Sequence, residues 1–415
     1  MTDKPDTALA VDEAVARVLA LAAARRLPSE RVELHEARGR VLAHDVIAAH
    51  DLPPFANSAM DGFAVRGADL SSDAATRLRI VGTRFAGDGE AAMIAAGECL
   101  RITTGAPLPG GADTVVIKER VQVDGDMLVV PGGEKAGANV RQAGEDLARG
   151  ARALAAGEAI GAVRLGLLAS LGLARVDVVR RPRVAVLTTG DELVMPGAPL
   201  GNAQIHNSNG CSLAALAIEA GARPLDAPLT FRHVRDDEAS LRAALRAAAA
   251  EADVIVTSGG VSAGEKDLLP ALVAELGAIV FWKVRMRPGM PVLCGTIAGT
   301  PLIGLPGNPV SGIATFLLFV RPLLRAMQGI TEPATPCLHA HLAHPLAKRH
   351  ARREFMRARL QPRADGSLEV AVLPKQGSGM LGAMAGADAL VVVPEDAREL
   401  AAGHVVEVIA LPSGY

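Results

Sequence analysis

Aromatic residues and cysteines are scarce in this chain of 415 residues. Phe, Trp and Tyr together make up 2% of it, and the formal net charge is only -2. Proteins that bind single-stranded nucleic acid use aromatic stacking surfaces and basic grooves, so both features argue against a nucleic-acid partner. The cysteines Cys99, Cys211, Cys294 and Cys337 form no C-x-x-C pair. This argues against a thiolate zinc site or a disulfide framework and fits a reducing cytoplasm.

Long hydrophobic runs are also missing. The most apolar stretch, Gly312–Val320, is much shorter than the roughly 20 residues that a membrane helix needs. The N-terminal residues MTDKPDTALAVDEA are acidic and polar, so no secretory signal peptide is predicted. Half of all residues are nevertheless hydrophobic, enough for the cores of about two to four domains. These features predict a cytoplasmic multidomain protein without a membrane span.

The order of strand-like and helical runs predicts an α/β multidomain fold. Residues 1–56 and 142–181 form a discontinuous helical and extended N-terminal domain, interrupted by a β-rich inserted domain at residues 57–141. In residues 182–331, strands alternate with helices, which is typical of a doubly wound domain with a parallel sheet. Residues 332–415 follow a proline-rich joint and carry short strands, so they predict a small β-barrel domain.

Polar loops follow three predicted strands of the central segment. The loops are TTGDE (188–192) after RVAVL, SGGVSAGEKD (258–267) after DVIVT, and PGNPVS (306–311) after TPLIGL. Ligands of open α/β sheets bind beyond the carboxyl ends of the strands, so these loops predict one shared site. A single glycine-rich turn is more often only a turn, and Asp191 or Asp267 could instead cap a helix. The repetition at three strand ends favours the ligand site.

Each of these loops offers groups that suit a phosphate. Glycines let backbone N–H groups approach an anion, serine hydroxyls donate to it, and the start of a helix attracts it. The predicted phosphate-binding residues are Ser258, Gly259, Gly260, Ser262, Pro306, Gly307, Asn308 and Pro309. Glu192 and Asp267 add carboxylates, and Mg²⁺ typically binds one or two carboxylates together with phosphates.

Two basic runs have open interpretations. Lys283, Arg285 and Arg287 alternate in FWKVRMRPGMP (281–291), so in a strand they would share one face. That face could neutralise a polyanion or could be a solvated edge strand. The run Lys348–Arg359 is predicted to be a charged strand facing solvent, with ligand or partner contact as the alternative.

Six motifs in order resemble the molybdopterin molybdenumtransferase family (MoeA-type, related to the gephyrin E domain). They are NSAMDGFA (57–64), ITTGAP (102–107), RPRVAVLTTGDEL (181–193), SGGVSAGEKD (258–267), FWKVRMRPGMP (281–291) and GLPGNPVS (304–311). The motifs extend over nearly the whole chain, and their order makes the resemblance more specific than any one of them.

The resemblance implies a reaction and a set of functional residues. Molybdate would be inserted into adenylylated molybdopterin with release of AMP, assisted by Mg²⁺, in a homodimer whose active site lies at the subunit junction. The implied catalytic residues are Asp61, Thr104, Glu192, Asp236 and Asp267, and the implied substrate-binding residues outside the loops are Lys283, Arg287 and Ser378. Glu192 and Asp267 are the implied Mg²⁺ ligands. Lys283 and Arg287 would hold phosphate or molybdate oxygens.

Some positions depart from the pattern of the family. Met290 stands where the family often has Lys or Arg, Arg287 where it often has Lys, and Phe63 where Tyr is common. The match leaves Asp236 and Asp237 as alternatives for one carboxylate.

Two other functions stay open on the sequence alone. A similar isolated α/β domain adenylylates molybdopterin, although the flanking segments argue against that activity here. A non-catalytic molybdopterin-binding scaffold is the other alternative. The implied protein partners are a molybdopterin adenylyltransferase and the apo-molybdoenzymes that receive the product.

Overall fold

The computed structural model describes residues 8–89, 92–225, 231–261 and 267–411. The predicted site residue Ser262 lies outside these ranges. The domain limits given above stay a prediction.

Two distant stretches of sequence build the N-terminal region. Strand Ser29–Glu33 pairs antiparallel with Arg175–Val179, and Val46–Ile47 pairs with Arg152–Leu154. Side chains from both stretches share one buried core with the helix Ala162–Ser170. The discontinuous arrangement therefore follows directly from strand pairing.

The first helix, Val11–Ala23, packs on the central region instead. Its buried positions Val11, Ala14, Val18 and Ala22 recur at helical spacing and join the core that contains Phe319. The beginning of the chain thereby covers one face of the central domain.

The inserted region is a mixed β-sheet. The order of its strands is Thr114–Ile117, Gly62–Val65, Glu98–Ile102, Thr76–Arg84, Met127–Val130 and Gln122–Asp124. The short strands Asn57–Ser58 and Val140–Arg141 pair with each other where the chain enters and leaves this region. Phe63 is buried in its core.

The central sheet is parallel in its middle and antiparallel along one edge. Its strands run in the order Arg223–Pro224, Arg183–Thr189, Val254–Ser258, Thr300–Leu305, Leu293–Ile297 and Gly277–Trp282, with Arg232–Val234 also beside Arg183–Thr189. The last two strands pair antiparallel, so the predicted parallel sheet carries an antiparallel edge. The reason is that residues 277–305 return through hairpins rather than through helical crossovers.

Helices cover both faces of this sheet, as a doubly wound fold requires. Alternate residues of one strand enter different cores, with Val184 and Val186 on one side and Ala185 and Leu187 on the other. Ser208–Glu219 and the long helix Pro309–Met327 cover the first side, and Glu238–Glu251 and Leu269–Leu276 cover the second.

The helix Pro309–Met327 is long and apolar enough to cross a membrane, with a mean hydropathy of 1.5. However, 72% of that stretch is buried inside the molecule, where it packs against the first helix and the sheet. Such burial is expected of the core helix of a globular domain. Its middle, Phe316–Val320, is π-helical.

The C-terminal region is a closed small β-barrel, as predicted. Its strands follow each other in the order Arg353–Pro362, Leu368–Val372, Cys337–Leu342, Val405–Ala410 and Ala389–Val393, and the last pairs with the first. The pair Leu346–Ala347 and Glu399–Leu400 and the helix Leu381–Ala385 complete it.

Both expectations for the basic runs need correction. The strand Gly277–Trp282 ends before Lys283, whose φ of 78° turns the chain, so Lys283 and Arg287 do not share a strand face. Arg287 instead pairs with Glu354 of the barrel. In the second run, Arg357 is only 1% exposed, so that run is not uniformly solvated.

Candidate active site

A cavity of about 710 Å³ opens at the carboxyl ends of the central strands, and we call it the strand-end cavity. All three predicted loops contribute to it. The predicted residues that line it are Glu192, Asp236, Ser258, Gly259, Gly260, Asp267, Pro306, Gly307, Asn308 and Pro309. The structure thus brings together ten of the proposed site residues.

The Gly259-Gly260 turn needs glycine for two reasons. Both residues have positive φ angles, 100° and 66°. A Cβ atom on Gly259 would lie 2.9 Å from the Thr189 carbonyl oxygen of the neighbouring loop. The turn therefore lies in direct contact with the loop 188–192, and no side chain stands between its backbone and the cavity.

Three carboxylates, those of Glu192, Asp236 and Asp267, line the same cavity. Asp237 has a different role, since its side chain accepts hydrogen bonds from the Ser240 N–H (2.8 Å) and hydroxyl (2.7 Å) and caps a helix. Of the two alternatives at this position, the geometry therefore favours Asp236 as the residue that faces a ligand.

Asn209 lines the cavity and was missed by the sequence analysis. Its Nδ2 donates to Ser258 Oγ (2.9 Å) and to the Gly307 carbonyl (2.7 Å), so one side chain ties two loops together. Asn207 accepts from the Gly210 N–H (3.0 Å) and caps the helix Ser208–Glu219. The signal was available, because an asparagine directly before a helical run predicts a helix start.

A second cavity of about 500 Å³ adjoins the first, and we call it the arginine cavity. It lies between the central region and the barrel. It shares Pro291, Pro306 and Asn308 with the strand-end cavity. Its other polar lining residues are Arg287, Ser311, Arg352, Glu354, Gln376 and Ser378. The predicted residues Arg287 and Ser378 therefore meet here, next to the three-loop site rather than inside it.

One buried carboxylate, that of Glu354, lies beside Arg287 in the arginine cavity and beside His350 behind it. Glu354 lies with Oε1 at 3.5 Å from Arg287 Nε and with Oε2 at 3.1 Å from His350 Nε2. Burial lowers the pKa of His350 below its usual value. Arg352 Nη1 lies 3.8 Å from Met290 Sδ.

Lys283 occupies a different place from the one predicted. Its Nζ lies 5.4 Å from the centre of the Trp282 ring, within cation–π distance. Lys283 is not among the described residues that line either cavity. Its role in anion binding stays a prediction.

Asp61 and Thr104 form a separate cluster in the inserted region. The Thr104 backbone N–H (2.8 Å) and hydroxyl (2.9 Å) both donate to Asp61 Oδ1, and Lys118 Nζ lies 3.3 Å from Oδ2. The backbone hydrogen bond is the main reason that the pKa of Asp61 is lowered. Neither residue is among those described as lining the two cavities of the same chain.

Family models match three successive parts of the chain. Residues 9–172 match the MoeA N-terminal region (domain I and II), residues 185–326 a probable molybdopterin binding domain, and residues 339–411 the MoeA C-terminal region (domain IV). The fold and the site thus define a multidomain α/β protein of the MoeA class.

Relatives over the whole length narrow this class. The chain is 35% identical to the molybdopterin molybdenumtransferase of Haemophilus influenzae over 92% of its length and 93% of the relative's. It is 39% identical to molybdopterin molybdenumtransferase 2 of Mycobacterium tuberculosis over 91% and 94%. The chain belongs to the molybdopterin molybdenumtransferase family of enzymes.

Solved structures agree with this assignment. A molybdopterin biosynthesis MoeA protein from Pyrococcus horikoshii superposes with a TM-score of 0.83 at 26% identity, covering 98% of this chain and 100% of the other. A second structure of such a protein gives a TM-score of 0.78 at 32% identity, covering 97% and 99%.

Proposed function

We propose that this enzyme acts in cytoplasmic molybdenum cofactor biosynthesis, where it inserts molybdate into adenylylated molybdopterin and releases AMP in a Mg²⁺-dependent reaction. One observation carries the proposal: a cavity with glycine turns and carboxylates adjoins a cavity with arginines. The first suits a phosphate-linked ligand, and the second suits a small oxyanion.

The strand-end cavity fits the nucleotide-linked part of the substrate. The Gly259-Gly260 turn and Gly307 bring the backbone to the cavity without a side chain, while the Gly259 N–H itself donates to the Leu305 carbonyl (3.1 Å). The helix that begins at Pro309 directs its positive end toward the same edge. Cleavage of a phosphoanhydride depends mainly on positioning and charge neutralisation, with little need for a covalent intermediate. These backbone groups would orient the phosphates.

The donor set also fits Mg²⁺, because carboxylates of Glu192 and Asp267 border one cavity, and this ion needs few protein ligands when phosphates complete its shell. When bound, Mg²⁺ would neutralise phosphate charge. Glu192 and Asp267 would hold the ion, and Asp236 would orient the ligand from the loop beside Asp191, whose carboxylate accepts from the Asp236 N–H (3.3 Å).

The arginine cavity fits molybdate. A tetrahedral dianion is recognised by guanidinium groups and hydroxyls, and this cavity presents Arg287, Arg352, Ser311 and Ser378. Because Asn308 belongs to both cavities, an oxyanion here would lie next to a pterin in the strand-end cavity. The arrangement brings the two substrates together.

The direct test is AMP release by the purified protein. Adenylylated molybdopterin is incubated with the enzyme, with and without molybdate and Mg²⁺, and AMP is quantified by chromatography. We expect release that depends on both additions. Folded protein that releases no AMP in the presence of both would refute the proposal, and formation of the adenylate from ATP and molybdopterin would support the adenylyltransferase instead.

Asp267→Asn tests the carboxylate role. The substitution keeps the size of the side chain but removes its charge, so molybdate-dependent AMP release should be abolished. Asp237→Asn is the matched control, because asparagine can still cap the helix and its site lies outside the cavity lining. Unchanged turnover in Asp267→Asn would remove this residue from the mechanism.

We further propose that the enzyme is a homodimer in which Asp61 and Thr104 complete the partner's strand-end cavity. The cluster is exposed and is flanked by exposed apolar side chains, Met60 (43%) and Phe85 (57%). An apolar rim around an ordered carboxylate is suited to contact with another protein surface. A second copy of this chain offers the cavity that the carboxylate lacks in its own subunit.

Subunit mixing tests the shared site. Asp61→Asn and Asp267→Asn proteins are each expected to be inactive, but their heterodimers would contain one intact site. Random exchange should then restore about a quarter of the wild-type activity. The control mixes Glu192→Gln with Asp267→Asn, which alter the same side of the site and should not complement. Failure of the first mixture, with exchange verified by mass, would contradict the composite site.

A further inference from the structure

One segment of the barrel forms a wall of both cavities. Gly377 and Ser378 line the arginine cavity, whereas Gly379 and Leu381 line the strand-end cavity. The position of this segment therefore affects how an oxyanion in one cavity meets a ligand in the other. Its backbone is held from two sides, by the central region and by the interior of the barrel.

From the barrel side, the segment is held by Arg357, whose side chain is 1% exposed. Its guanidinium donates to the carbonyl oxygens of Gly377 (3.0 Å) and Lys375. The Arg357 N–H donates to Gln376 Oε1 (3.0 Å), and Gln376 Nε2 donates back to the Arg357 carbonyl (2.9 Å). Side chain and main chain together clamp residues 375–377 to the strand.

Filling the barrel core with an arginine costs free energy, because the charged group must be desolvated. Burial disfavours its charged form and lowers the pKa of Arg357. Among the described residues, its guanidinium donates to carbonyl groups and forms no ion pair with a carboxylate. A methionine of similar length would fill the space without the cost of desolvating a charge. The orientation of the Lys375 and Gly377 carbonyl groups therefore needs a functional explanation.

Peptide geometry supplies that reason. In a trans peptide the C=O and the following N–H point in opposite directions. Since the Gly377 carbonyl accepts from Arg357 and from the Met380 N–H (3.2 Å), the N–H of Ser378 points away from Arg357. Ser378 itself lines the arginine cavity. The Ser378 carbonyl accepts from the Val310 N–H (3.1 Å) at the start of the long helix, so the next peptide is fixed as well.

We propose that Arg357 is a positioning residue that orients the Ser378 N–H and hydroxyl as preformed donors to a tetrahedral oxyanion. This inference rests on the proposed role of the arginine cavity. A donor that is fixed before binding contributes more than one that must be ordered by the ligand, because the ordering cost is already met by the fold.

The test measures oxyanion affinity apart from turnover. Molybdate, or tungstate as its analogue, is titrated calorimetrically into wild-type protein, Arg357→Met and Arg357→Lys. Arg357→Met should weaken binding by about 10- to 100-fold, as expected when donors to a charged group are lost. Arg357→Lys keeps the positive charge but loses the planar guanidinium with its paired donors. Its affinity for the oxyanion should therefore lie between those of Arg357→Met and the wild type.

The same variants separate positioning from general damage. In the AMP-release assay, Arg357→Met should raise the KM for molybdate and leave the KM for adenylylated molybdopterin within about threefold, since the strand-end loops still hold the phosphates. Arg359→Met is the matched control, because Arg359 lies on the same strand with an exposed side chain that donates to Gly386. It should bind oxyanion as the wild type does.

Gln376→Ala provides a second variant in case Arg357→Met does not fold. The substitution removes the two hydrogen bonds between the half-exposed Gln376 side chain and the main chain of Arg357. Oxyanion binding should weaken about 3- to 10-fold. Wild-type affinity in folded Gln376→Ala and Arg357→Lys would overturn the inference. Wild-type protein that releases AMP but binds no oxyanion in the Arg287-lined cavity would also overturn it, yet would leave the proposed reaction standing.

Discussion

The strand-end cavity and the arginine cavity are neighbours that are built in opposite ways. The first is made of loops that follow successive strands of one sheet, and its chemistry comes from glycine backbone and carboxylates. The second is formed where the central region meets the barrel, and its chemistry comes from guanidinium side chains. The nucleotide-linked ligand and the small oxyanion that we propose would need these two different environments.

The contrast has a consequence for charge. The carboxylates of Glu192, Asp236 and Asp267 favour a divalent cation in the strand-end cavity, whereas Arg287 and Arg352 favour a dianion next door. If the carboxylates and the arginines lined one common cavity, the carboxylates would repel a dianion and the arginines would repel a divalent cation. Substitutions in one cavity should therefore change the affinity for one substrate, and that separation can be tested.

Gly259→Ala should have the largest effect and should act on the strand-end cavity. The new Cβ would lie 2.9 Å from the Thr189 carbonyl, and alanine at a φ of 100° is strained by about 1–3 kcal/mol. We expect the affinity for adenylylated molybdopterin, measured by equilibrium binding, to fall by about 10- to 100-fold. Oxyanion affinity should change little.

Gly366→Ala is the control for backbone strain alone. Gly366 also has a positive φ of 83°, but a Cβ there would meet no atom within 4 Å. This protein should bind both substrates normally. Equal losses for adenylylated molybdopterin and molybdate in Gly259→Ala would show that the two cavities do not act separately.

Arg287→Gln should have an intermediate effect, confined to the arginine cavity. It removes a positive charge that lies 3.5 Å from Glu354 and leaves that buried carboxylate with less compensation. Molybdate affinity, measured by calorimetry, should fall about 10-fold, and Arg287→Lys should bind within about threefold of the wild type.

Arg285→Gln is the matched control, because this exposed residue two positions earlier is not among the described residues that line either cavity. A comparable loss of molybdate affinity in this protein would point to a general field of positive charge. In that case anion binding would not be specific to the arginine cavity.

The strand-end cavity could be foreseen because it depends on local patterns. Strand periodicity placed the three loops at one sheet edge, and glycines 259 and 260 marked a turn that the structure shows with positive φ angles. Asn209 was not predicted because its partners, Ser258 and the Gly307 carbonyl, lie far from it in sequence and no local pattern marks such contacts.

The arginine cavity could not be derived from local patterns. Alternation in residues 281–291 suggested one basic face, but the turn at Lys283 breaks the strand, and Arg287 pairs with a barrel strand far along the sequence. Arg357 lies in a run that reads as solvated, yet it is buried by barrel closure. Only the resemblance to a family indicated Ser378, whereas alternation had indicated Arg287 merely as one of three basic residues.

The smallest predicted effect concerns pH, through His350 behind the arginine cavity. The Arg352 N–H donates to Nδ1 (3.3 Å), so neutral His350 carries its proton on Nε2, which faces Glu354. Burial lowers its pKa, and the neighbouring charges are Glu354, Arg352, Arg287 and Lys348. The unfolded chain therefore binds a proton more readily than the folded one.

Because the folded pKa of His350 lies below the unfolded value, its contribution to stability is present above about pH 6.5 and is lost as pH falls through the folded pKa. His350→Gln should flatten the decline of Tm between pH 7 and 5 by on the order of 1–2 °C. His206→Gln serves as the control, because this histidine is exposed. A decline that is equally steep in His350→Gln would mean that acid acts elsewhere, and that the buried Glu354 holds Arg287 without help from the imidazole.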